Sequence, residues 1–270
     1  MRRRLDAELV RRGLAASRSE GTQAIAAGRI RVGGRPVDKP STLVAPDEPV
    51  TVEGPPRPYV SRGGEKLEGA LDGFGIDPRE RLALDAGAST GGFTDCLLRR
   101  GAEAVIAVDV GYGQLSWSLR NDPRVTVMER TNVRALRSEQ LPFTPDLVVA
   151  DLSFISLAAA LPGLAALGGD GAEYVLLVKP QFEAGRPDVG KGGVVRDPEV
   201  WRRVLHEVLA SSGGAGLGGR GLMVSPLLGP AGNAEFFVHA VRGASTDDLG
   251  AGVDAAVREA LSLRERTAVS

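Results

Sequence analysis

A glycine-rich turn stands directly behind a short apolar segment of the sequence, in the run Leu84-Asp-Ala-Gly-Ala-Ser-Thr-Gly-Gly-Phe93. Its glycines Gly87, Gly91 and Gly92 let the backbone approach a ligand closely and adopt positive φ angles. A helix beginning at this turn would point its free N–H groups at that ligand. Asp109 ends the next apolar segment, about two dozen residues later, and a carboxylate there can accept both hydroxyls of a ribose. The pattern indicates a site for a nucleoside-type ligand.

Asp85, ahead of the glycines, helps to distinguish between nucleoside cofactors. The nicotinamide fingerprint G-x-G-x-x-G is matched poorly, and an acidic residue in this position is unusual for that class. The D-x-G-x-x-x-G turn of methyltransferases fits better, because the methionine end of their cofactor carries an ammonium group. The turn therefore favours S-adenosylmethionine, and the alternative is a tight βα turn that binds nothing.

Further contacts to this cofactor are expected from the same loops. In an open α/β sheet, ligands bind where the parallel strands end. The candidates lie in the turn or just beyond the next two strand segments: Ser89, Phe93, Tyr112, Gln114, Leu115, Thr131 and Asn132. Thr131 and Asn132 follow the third segment, and we expect them to meet the adenine.

Seven short apolar segments, separated by helical segments, must position these residues. They are Leu82–Asp85, Ala104–Asp109, Val125–Glu129, Leu147–Asp151, Val175–Lys179, Gly221–Ser225 and Glu235–Val241. The alternation predicts an α/β fold with a mostly parallel, seven-stranded sheet and helices on both faces. The connection Pro226–Asn233 holds no helix, so we expect the last two strands to form an antiparallel pair at one edge. Helices are predicted at Ser61–Phe74 and Val253–Leu263, the second followed by a loose tail.

Residues 1–54, called the head, form a separate unit ahead of residues 61–270, called the body. Two short helices are predicted in the head, ending at Gly13 and Gly28, and short strands with a Gly33-Gly34 turn follow. Ser17, with Glu20 three residues later, has the spacing of a capping box. Residues 55–60 are rich in proline and predict a stiff linker.

Charge is distributed unevenly between these parts. Residues 1–39 hold ten basic and four acidic groups and carry +6, which leaves −7 on the rest of a chain whose net charge is −1. A basic head on an acidic body suggests a polyanionic partner for the head. A solvated charged surface without a partner is the alternative.

Cys96 is the only cysteine, and His206 and His239 are the only histidines. A disulfide within the chain is therefore excluded, and we expect no metal site. No apolar signal segment follows the arginine-rich start, and the longest apolar run, Ile155–Leu167, is too short to span a bilayer. We therefore expect a cytoplasmic protein that is not bound to a membrane, and a monomer.

Several blocks, which cover nearly the whole chain in order, resemble one family. Besides the glycine turn they are Asp6-Ala-Glu-Leu-Val-Arg-Arg-Gly-Leu, Val60-Ser-Arg-Gly-Gly-Glu-Lys-Leu, Asp109-Val-Gly-Tyr-Gly-Gln-Leu, Val149-Ala-Asp-Leu-Ser-Phe-Ile-Ser-Leu, Val178-Lys-Pro-Gln-Phe-Glu and Ser225-Pro-Leu-Leu-Gly-Pro-Ala-Gly-Asn-Ala-Glu-Phe. They resemble the TlyA family of hemolysin-named ribosomal RNA 2′-O-methyltransferases. The resemblance implies that the head is a small α+β RNA-binding domain of the αL type. It implies that the body is an FtsJ-like, Rossmann-like class I methyltransferase.

The resemblance also implies a catalytic set of four charged residues. The family's Lys-Asp-Lys-Glu tetrad matches Lys66, Asp151, Lys179 and Glu235, although each alone is more often a surface charge. The expected reaction moves a methyl group from S-adenosylmethionine to a ribose 2′-hydroxyl, of a cytidine in ribosomal RNA. We expect Lys179 to be the general base, Asp151 to orient it, and Lys66 and Glu235 to place the ribose. A lysine is almost fully protonated at neutral pH, so we expect activation only beside RNA and the cofactor's positive sulfonium.

The substrate side of the prediction rests on arginines of the head. The expected phosphate contacts are Arg3, Arg4, Arg18, Arg29 and Arg31. The head holds no aromatic residue, which favours a structured RNA bound by shape and backbone, in free RNA or in ribosomal subunits. The run Lys191-Gly-Gly-Val-Val is typical of a mobile loop near the substrate or of a plain surface loop.

Three rival functions are weaker. A membrane-lysing hemolysin would need a secretion signal or a membrane-active amphipathic segment, and neither is evident. A non-enzymatic RNA-binding protein would leave the glycine turn and the tetrad unexplained. A small-molecule methyltransferase would have no use for a basic head. The linker segment Arg57–Val60 is a candidate for coupling head and body.

Overall fold

A computed structural model of the protein describes residues 2–15, 18–54 and 58–269. The chain divides into two compact units, residues 1–61 and residues 62–270. The finer limits from the sequence, with a linker at 55–60, stay a prediction, and the capping box predicted at Ser17 lies outside the described residues. Within the described part, no helix has both the length and the apolar character that crossing a bilayer requires.

In residues 2–15 and 18–54, the first unit contains two short helices and five short strands. They are β1 (Arg3–Arg4), α1 (Leu5–Arg11), α2 (Arg18–Ala26), β2 (Ile30–Val32), β3 (Arg35–Pro36), β4 (Leu43–Val44) and β5 (Val50–Val52). Strands β3, β2 and β5 form an antiparallel sheet, and β1 pairs with β4. Leu5 and Leu9 of α1 pack on Ile25 and Ile30 in a small apolar core. The two predicted helices are present and strands follow them, but the structure adds a strand that was not predicted, β1, ahead of α1, where it pairs with β4.

The second unit alternates strands with helices, as the apolar segments predicted. Its strands are β6 (Leu82–Ala86), β7 (Ala104–Val108), β8 (Val125–Met128), β9 (Leu147–Ala150), β10 (Glu173–Val178), β11 (Leu217–Val224) and β12 (Phe236–Arg242). Its helices are α3 (Arg62–Phe74), α4 (Gly92–Arg99), α5 (Trp117–Arg120), α6 (Leu157–Ala165), α7 (Pro180–Glu183), α8 (Pro198–Gly214) and α9 (Gly250–Val269).

All seven strands form one sheet, in the order β11-β12-β10-β9-β6-β7-β8. The five strands from β10 to β8 are parallel, and β12 is antiparallel to both of its neighbours. Every residue of β9 is buried, which requires cover on both faces of the sheet. The mostly parallel sheet and the antiparallel pair at one edge are thereby confirmed.

The end of the chain differs from its prediction. A loose tail after Leu263 is wrong, because α9 continues as a helix from Gly250 to Val269. The apolar side of α9 is buried through Val253 and Val257, and the guanidinium of Arg264 lies 5.5 Å from the ring centroid of Trp201. Packing of this kind, rather than local propensity, extends the helix.

Candidate active site

The direction of β12 brings distant charged residues to the carboxyl edge of the parallel strands. Val178, the last residue of β10, pairs with Phe236, the first of β12. Lys179 and Glu235 therefore lie opposite each other, just beyond the last pair. Asp151 follows Ala150, which pairs with Leu176 of the same β10. Three of the four tetrad positions thus share one edge of the sheet.

The fourth position, Lys66 on α3, forms an ion pair with Glu235. The Lys66 Nζ donates to Glu235 Oε2 at 2.5 Å, and both side chains are buried. Gly229 packs closely on the same carboxylate, since a Cβ at that position would lie 2.4 Å from Glu235 Oε1. This carboxylate is therefore held between a helix and a tight loop.

Lys179 is held by an ion pair and a hydrogen bond. Its Nζ lies 2.5 Å from Asp151 Oδ1 and donates to Ser153 Oγ at 2.8 Å. The side chain of Lys179 is 10% exposed and that of Asp151 is 24% exposed, so the pair meets solvent from the aspartate side. Only Ser153 accepts a hydrogen bond from Lys179, since Asp151 Oδ1 has no hydrogen-bond partner among the described residues, so the three N–H donors of the ammonium are not all used. Ser153 was not predicted from the sequence.

A cavity of about 380 Å³ opens beside this pair, at the ends of the central strands. Its lining includes six residues predicted to bind the cofactor: Gly87, Ser89, Asp109, Gln114, Thr131 and Asn132. It also includes Asp151 and Ser153, the two partners of Lys179. The two partners of the general-base candidate and six of the nucleoside-site candidates therefore line one cavity.

Asp109 is fixed on the cavity wall by the backbone. Its Oδ2 accepts from the Ser89 N–H at 2.7 Å and its Oδ1 accepts from the Gly111 N–H at 2.6 Å. Ser89 has a φ of +49°, a left-handed conformation that is uncommon outside glycine. A carboxylate has about four acceptor sites, so two remain for ligand hydroxyls.

Asp85 lies beneath the turn rather than on the cavity wall. Its Oδ2 accepts from Thr94, from the backbone N–H at 2.9 Å and from the hydroxyl at 2.7 Å. Its Oδ1 is buried with no hydrogen-bond partner among the described residues. Burial raises the pKa of Asp85 to about 7, and the charge of Asp151 adds to this rise. A cationic ligand group would supply the missing donor, which fits the ammonium of the expected cofactor.

Two glycines of the turn are required by close contacts within the protein. Gly87 has a φ of +87°, and a Cβ there would lie 2.5 Å from the carbonyl oxygen of Asp151. Gly91 has a φ of +97°, and its Cβ would meet Leu119 Cδ1 at 2.3 Å. These glycines are therefore required by the packing of the turn, and the fit to a nucleoside cofactor rests on the unpartnered Asp85 Oδ1 and the remaining acceptor sites of Asp109.

The remaining cofactor candidates do not line the cavity. Phe93 is buried in α4, with its ring centroid 6.1 Å from that of Phe237. Leu115 is buried against the turn. Tyr112 is exposed, and the guanidinium of Arg130 lies 4.1 Å from its ring centroid. Gly92 begins α4. The roles of these residues toward a cofactor stay predictions.

In the head, buried acids of α1 hold several arginines. Arg4 and Arg18 both pair with Asp6, at 3.0 Å and 2.8 Å, and hydrogen bonds from them hold the pKa of Asp6 well below its usual range. Arg31 pairs with Glu53. Arg3 lies in β1 and Arg29 precedes β2. Contact of these five arginines with RNA stays a prediction.

The described residues include no group of three or more His, Cys, Asp or Glu placed to hold a metal ion. Cys96 is buried in α4 as a free thiol.

We predict that Asp85 makes the stability of the body depend on pH. Its folded-state pKa of about 7 exceeds its ordinary value of 3.8, so the folded state binds an extra proton between these values. The stabilisation is fully present below about pH 4 and is lost as the pH rises through 7. The Asp85→Asn variant should lose this dependence. Thermal unfolding from pH 5 to 8, without ligand, measures it, and equal slopes for both proteins would contradict the prediction.

Comparison with known proteins gives the class first. The FtsJ-like methyltransferase family matches residues 59–242, and the S4 domain matches residues 3–50. Together with the antiparallel strand β12 and the glycine turn, these two matches define a Rossmann-like class I methyltransferase that follows an S4 domain.

The relatives then define the family. A 16S/23S rRNA (cytidine-2′-O)-methyltransferase, TlyA of Mycobacterium tuberculosis, is 54% identical over 88% of this chain and 89% of its own. YqxC of Bacillus subtilis, named as an rRNA methyltransferase, is 48% identical over 87% of this chain and 84% of its own. A solved structure of a hemolysin-named protein from Streptococcus thermophilus, 37% identical, covers 100% of this chain and 99% of that one, with a TM-score of 0.83. The chain belongs to the TlyA family.

Proposed function

We propose that the protein transfers a methyl group from S-adenosylmethionine to the 2′-hydroxyl of a cytidine ribose in ribosomal RNA. One observation carries the proposal: Asp151 and Ser153, which hold Lys179, also line the cavity that Asp109 and the glycine turn form. A base for a hydroxyl proton thus lies beside a site suited to a nucleoside. The activity named for the Mycobacterium tuberculosis relative supports the same reaction.

The residues that would hold the cofactor come from three loops of the carboxyl edge. Asp109 would accept the ribose hydroxyls, Thr131 and Asn132 would face the adenine, and Asp85 and the glycine turn would receive the methionine end. When bound, S-adenosylmethionine supplies an electrophilic methyl group. The backbone bonds from Ser89 and Gly111 keep the Asp109 carboxylate fixed before a ligand arrives, which lowers the ordering cost of binding.

Lys179 is the general base of the proposed reaction. As a neutral amine it takes the proton of the 2′-hydroxyl on the side that Asp151 and Ser153 leave open. The ammonium that results is then stabilised by Asp151, 2.5 Å away. This interaction is strongest when the proton has moved, so it favours the transition state over the ground state.

Lys66 and Glu235 have a separate role in placing the ribose. The pair is neutral as a whole and buried on the α3 side of the carboxyl edge. The Lys66 ammonium keeps donors beyond the one given to Glu235. These donors can fix a ribose oxygen close to Lys179 without adding net charge to the site.

The head would bring ribosomal RNA to this site. Its αL-type fold and its excess of arginine suit binding to an RNA backbone, free or in ribosomal subunits. Pairing with Asp6 holds Arg4 and Arg18 in defined orientations, which suits recognition of RNA shape. We place the protein in the cytoplasm, where ribosomal RNA is modified, and as a monomer.

Methyl transfer tests the proposal directly. Purified protein, tritiated S-adenosylmethionine and ribosomal subunits lacking 2′-O-methylation should yield labelled RNA, and digestion should place the label on the ribose of cytidine. Lys179→Arg is the matched control, because it keeps the positive charge but cannot act as a base. Label on a base, or equal labelling by the variant, would contradict the proposal.

The hemolysin name of the Streptococcus thermophilus relative makes membrane lysis the second candidate. Dye-loaded liposomes with anionic lipids provide the test. We expect no release above that of a control protein of similar charge. Release that is saturable and retained in Lys179→Arg would favour lysis as an independent activity.

A further inference from the structure

A small hairpin between α7 and α8 presents an exposed lysine. In this segment, hairpin 190–194, Gly190 N–H donates to the Val194 carbonyl at 3.1 Å and Gly193 N–H donates to the Gly190 carbonyl at 3.0 Å. Gly192 and Gly193 both have positive φ and open space where a Cβ would stand. Lys191, at the tip, is exposed and makes no ion pair with any described residue.

The base of hairpin 190–194 is fixed by one buried amide. The Asn233 Oδ1 accepts from the Val195 N–H at 2.9 Å, and its Nδ2 donates to the Gly193 carbonyl at 2.9 Å. The carbonyl of the fully buried Val195 accepts from Trp201 Nε1 at 3.3 Å. Asn233 uses its donor and its acceptor at once, which neither a carboxylate nor an aliphatic side chain can do.

The same amide belongs to the segment that carries Glu235. Asn233 lies two residues before Glu235, and the backbone carbonyl of Asn233 accepts from the Gly229 N–H at 2.9 Å. Gly229 in turn packs directly on the Glu235 carboxylate. One side chain therefore joins hairpin 190–194 to the segment that holds a member of the tetrad.

The acidic groups near the hairpin are occupied elsewhere. Asp188 pairs with Arg203 at 2.5 Å, and Asp197 accepts from the Glu199 N–H at the start of α8, at 2.9 Å. Arg196 lies close to Gly190, since a Cβ on Gly190 would be 3.4 Å from the Nη1 of Arg196. Asp188 is thereby neutralised by an ion pair, and Lys191 and Arg196 give the hairpin positive charge, which suits an anionic ligand.

We propose that hairpin 190–194 is a phosphate-binding arm for the substrate RNA. The Lys191 ammonium contacts a phosphodiester next to the target ribose, and Asn233 is a positioning residue that keeps the arm in register with Glu235. The ligand class follows from the proposed function, on which this inference rests. The anionic groups that an RNA substrate presents at the carboxyl edge of the sheet are the phosphates of its backbone.

The first test compares Lys191→Ala with the full-length wild type in methyl transfer to ribosomal subunits, between about 50 and 200 mM salt. We expect KM for the subunits to rise about three- to tenfold with kcat changed less than twofold. The slope of log KM against log salt should fall by about 0.7 to 0.9, the loss of one phosphate contact. Lys191→Arg should restore both values, and Arg258→Ala, which removes an exposed charge from α9, should match the wild type.

The second test asks whether Asn233 acts through the arm. In an Asn233→Asp background the donor to Gly193 is lost, so the arm is released and Lys191→Ala should have little further effect on KM. A double-mutant cycle measures this coupling, with tryptophan fluorescence on urea unfolding to verify the fold. Strictly additive effects of the two substitutions on KM would overturn the positioning role.

Direct RNA binding separates this inference from the proposed function. Filter binding of ribosomal RNA, without cofactor, should show the same loss of salt slope in Lys191→Ala. If the wild type transfers no methyl group to ribosomal RNA but Lys191→Ala still lowers the salt slope of RNA binding, the proposed function is refuted and the arm is supported. If Lys191→Ala leaves the salt dependence of RNA binding unchanged while the wild type transfers methyl groups, the arm is refuted. The arm is also refuted if Lys191→Ala changes the affinity for S-adenosylhomocysteine and leaves RNA binding unaffected.

Discussion

A Lys179→Ala variant should lose methyl transfer by about 10³-fold in kcat, because a positioned general base contributes roughly 10² to 10⁴ in rate. Cofactor affinity should stay within about threefold of the wild type, since Lys179 is not on the cavity wall. The variant should remain folded, because the carboxylate it leaves behind, Asp151, is partly exposed and can be hydrated. Single-turnover methyl transfer and calorimetric binding of S-adenosylhomocysteine measure the two effects.

Lys179→Arg separates charge from proton transfer. The guanidinium can still pair with Asp151 but does not give up its proton at any working pH. We therefore expect Lys179→Arg to be as inactive as Lys179→Ala. Turnover near that of the wild type in Lys179→Arg would show that the site needs a cation and not a base.

A Glu235→Ala variant should lose stability as well as activity. Removal of one partner from a buried ion pair leaves an uncompensated charge, which costs about 3 to 5 kcal/mol of unfolding free energy. Lys66 would be that charge, since it is buried and its Nζ lies 2.5 Å from Glu235 Oε2. Urea unfolding followed by tryptophan fluorescence reports the body, because both tryptophans, Trp117 and Trp201, lie there.

The matched double variant distinguishes pairing from general damage. Lys66→Met together with Glu235→Leu should restore most of the lost stability, because apolar groups of similar volume often replace a buried pair at little cost. It should remain inactive, because the donors that place the ribose are gone. Asp254→Asn, which breaks an exposed pair with Arg202, should change the unfolding free energy by less than about 1 kcal/mol. A double variant as unstable as Glu235→Ala would refute this account.

Most of the fold could be predicted because its signals are local. Seven apolar segments and their spacing predicted the parallel sheet, and the lack of a helix between the last two predicted an antiparallel pair. The start of β11 at Leu217, four residues before the predicted Gly221, could not be predicted. The glycines at the start of β11 have low strand propensity. Glycine is needed there because another segment of the chain packs against the strand: a Cβ on Gly218 would lie 2.3 Å from the Ala244 carbonyl oxygen.

The site was predictable only in part, for a different reason. Asp109 and the glycine turn follow strands directly, so strand positions alone bring them to one edge. The pairing of Lys66 with Glu235 depends on how α3 packs, and the bond from Lys179 to Ser153 depends on the loop after β9, where Phe154 turns the chain with a φ of +65°. Asn233 binds groups 38 and 40 positions earlier in the chain. No local pattern encodes such contacts.

The position of β12 has a consequence for synthesis of the protein. This strand comes last in the chain but lies between β10 and β11, and it carries Glu235 to a lysine 169 positions earlier. Until β12 is inserted, Lys66 has no counter-charge and cannot be buried at low cost. A chain that ends before β12 is therefore without an assembled tetrad, so we expect no methyl transfer until nearly all of the protein has been synthesised.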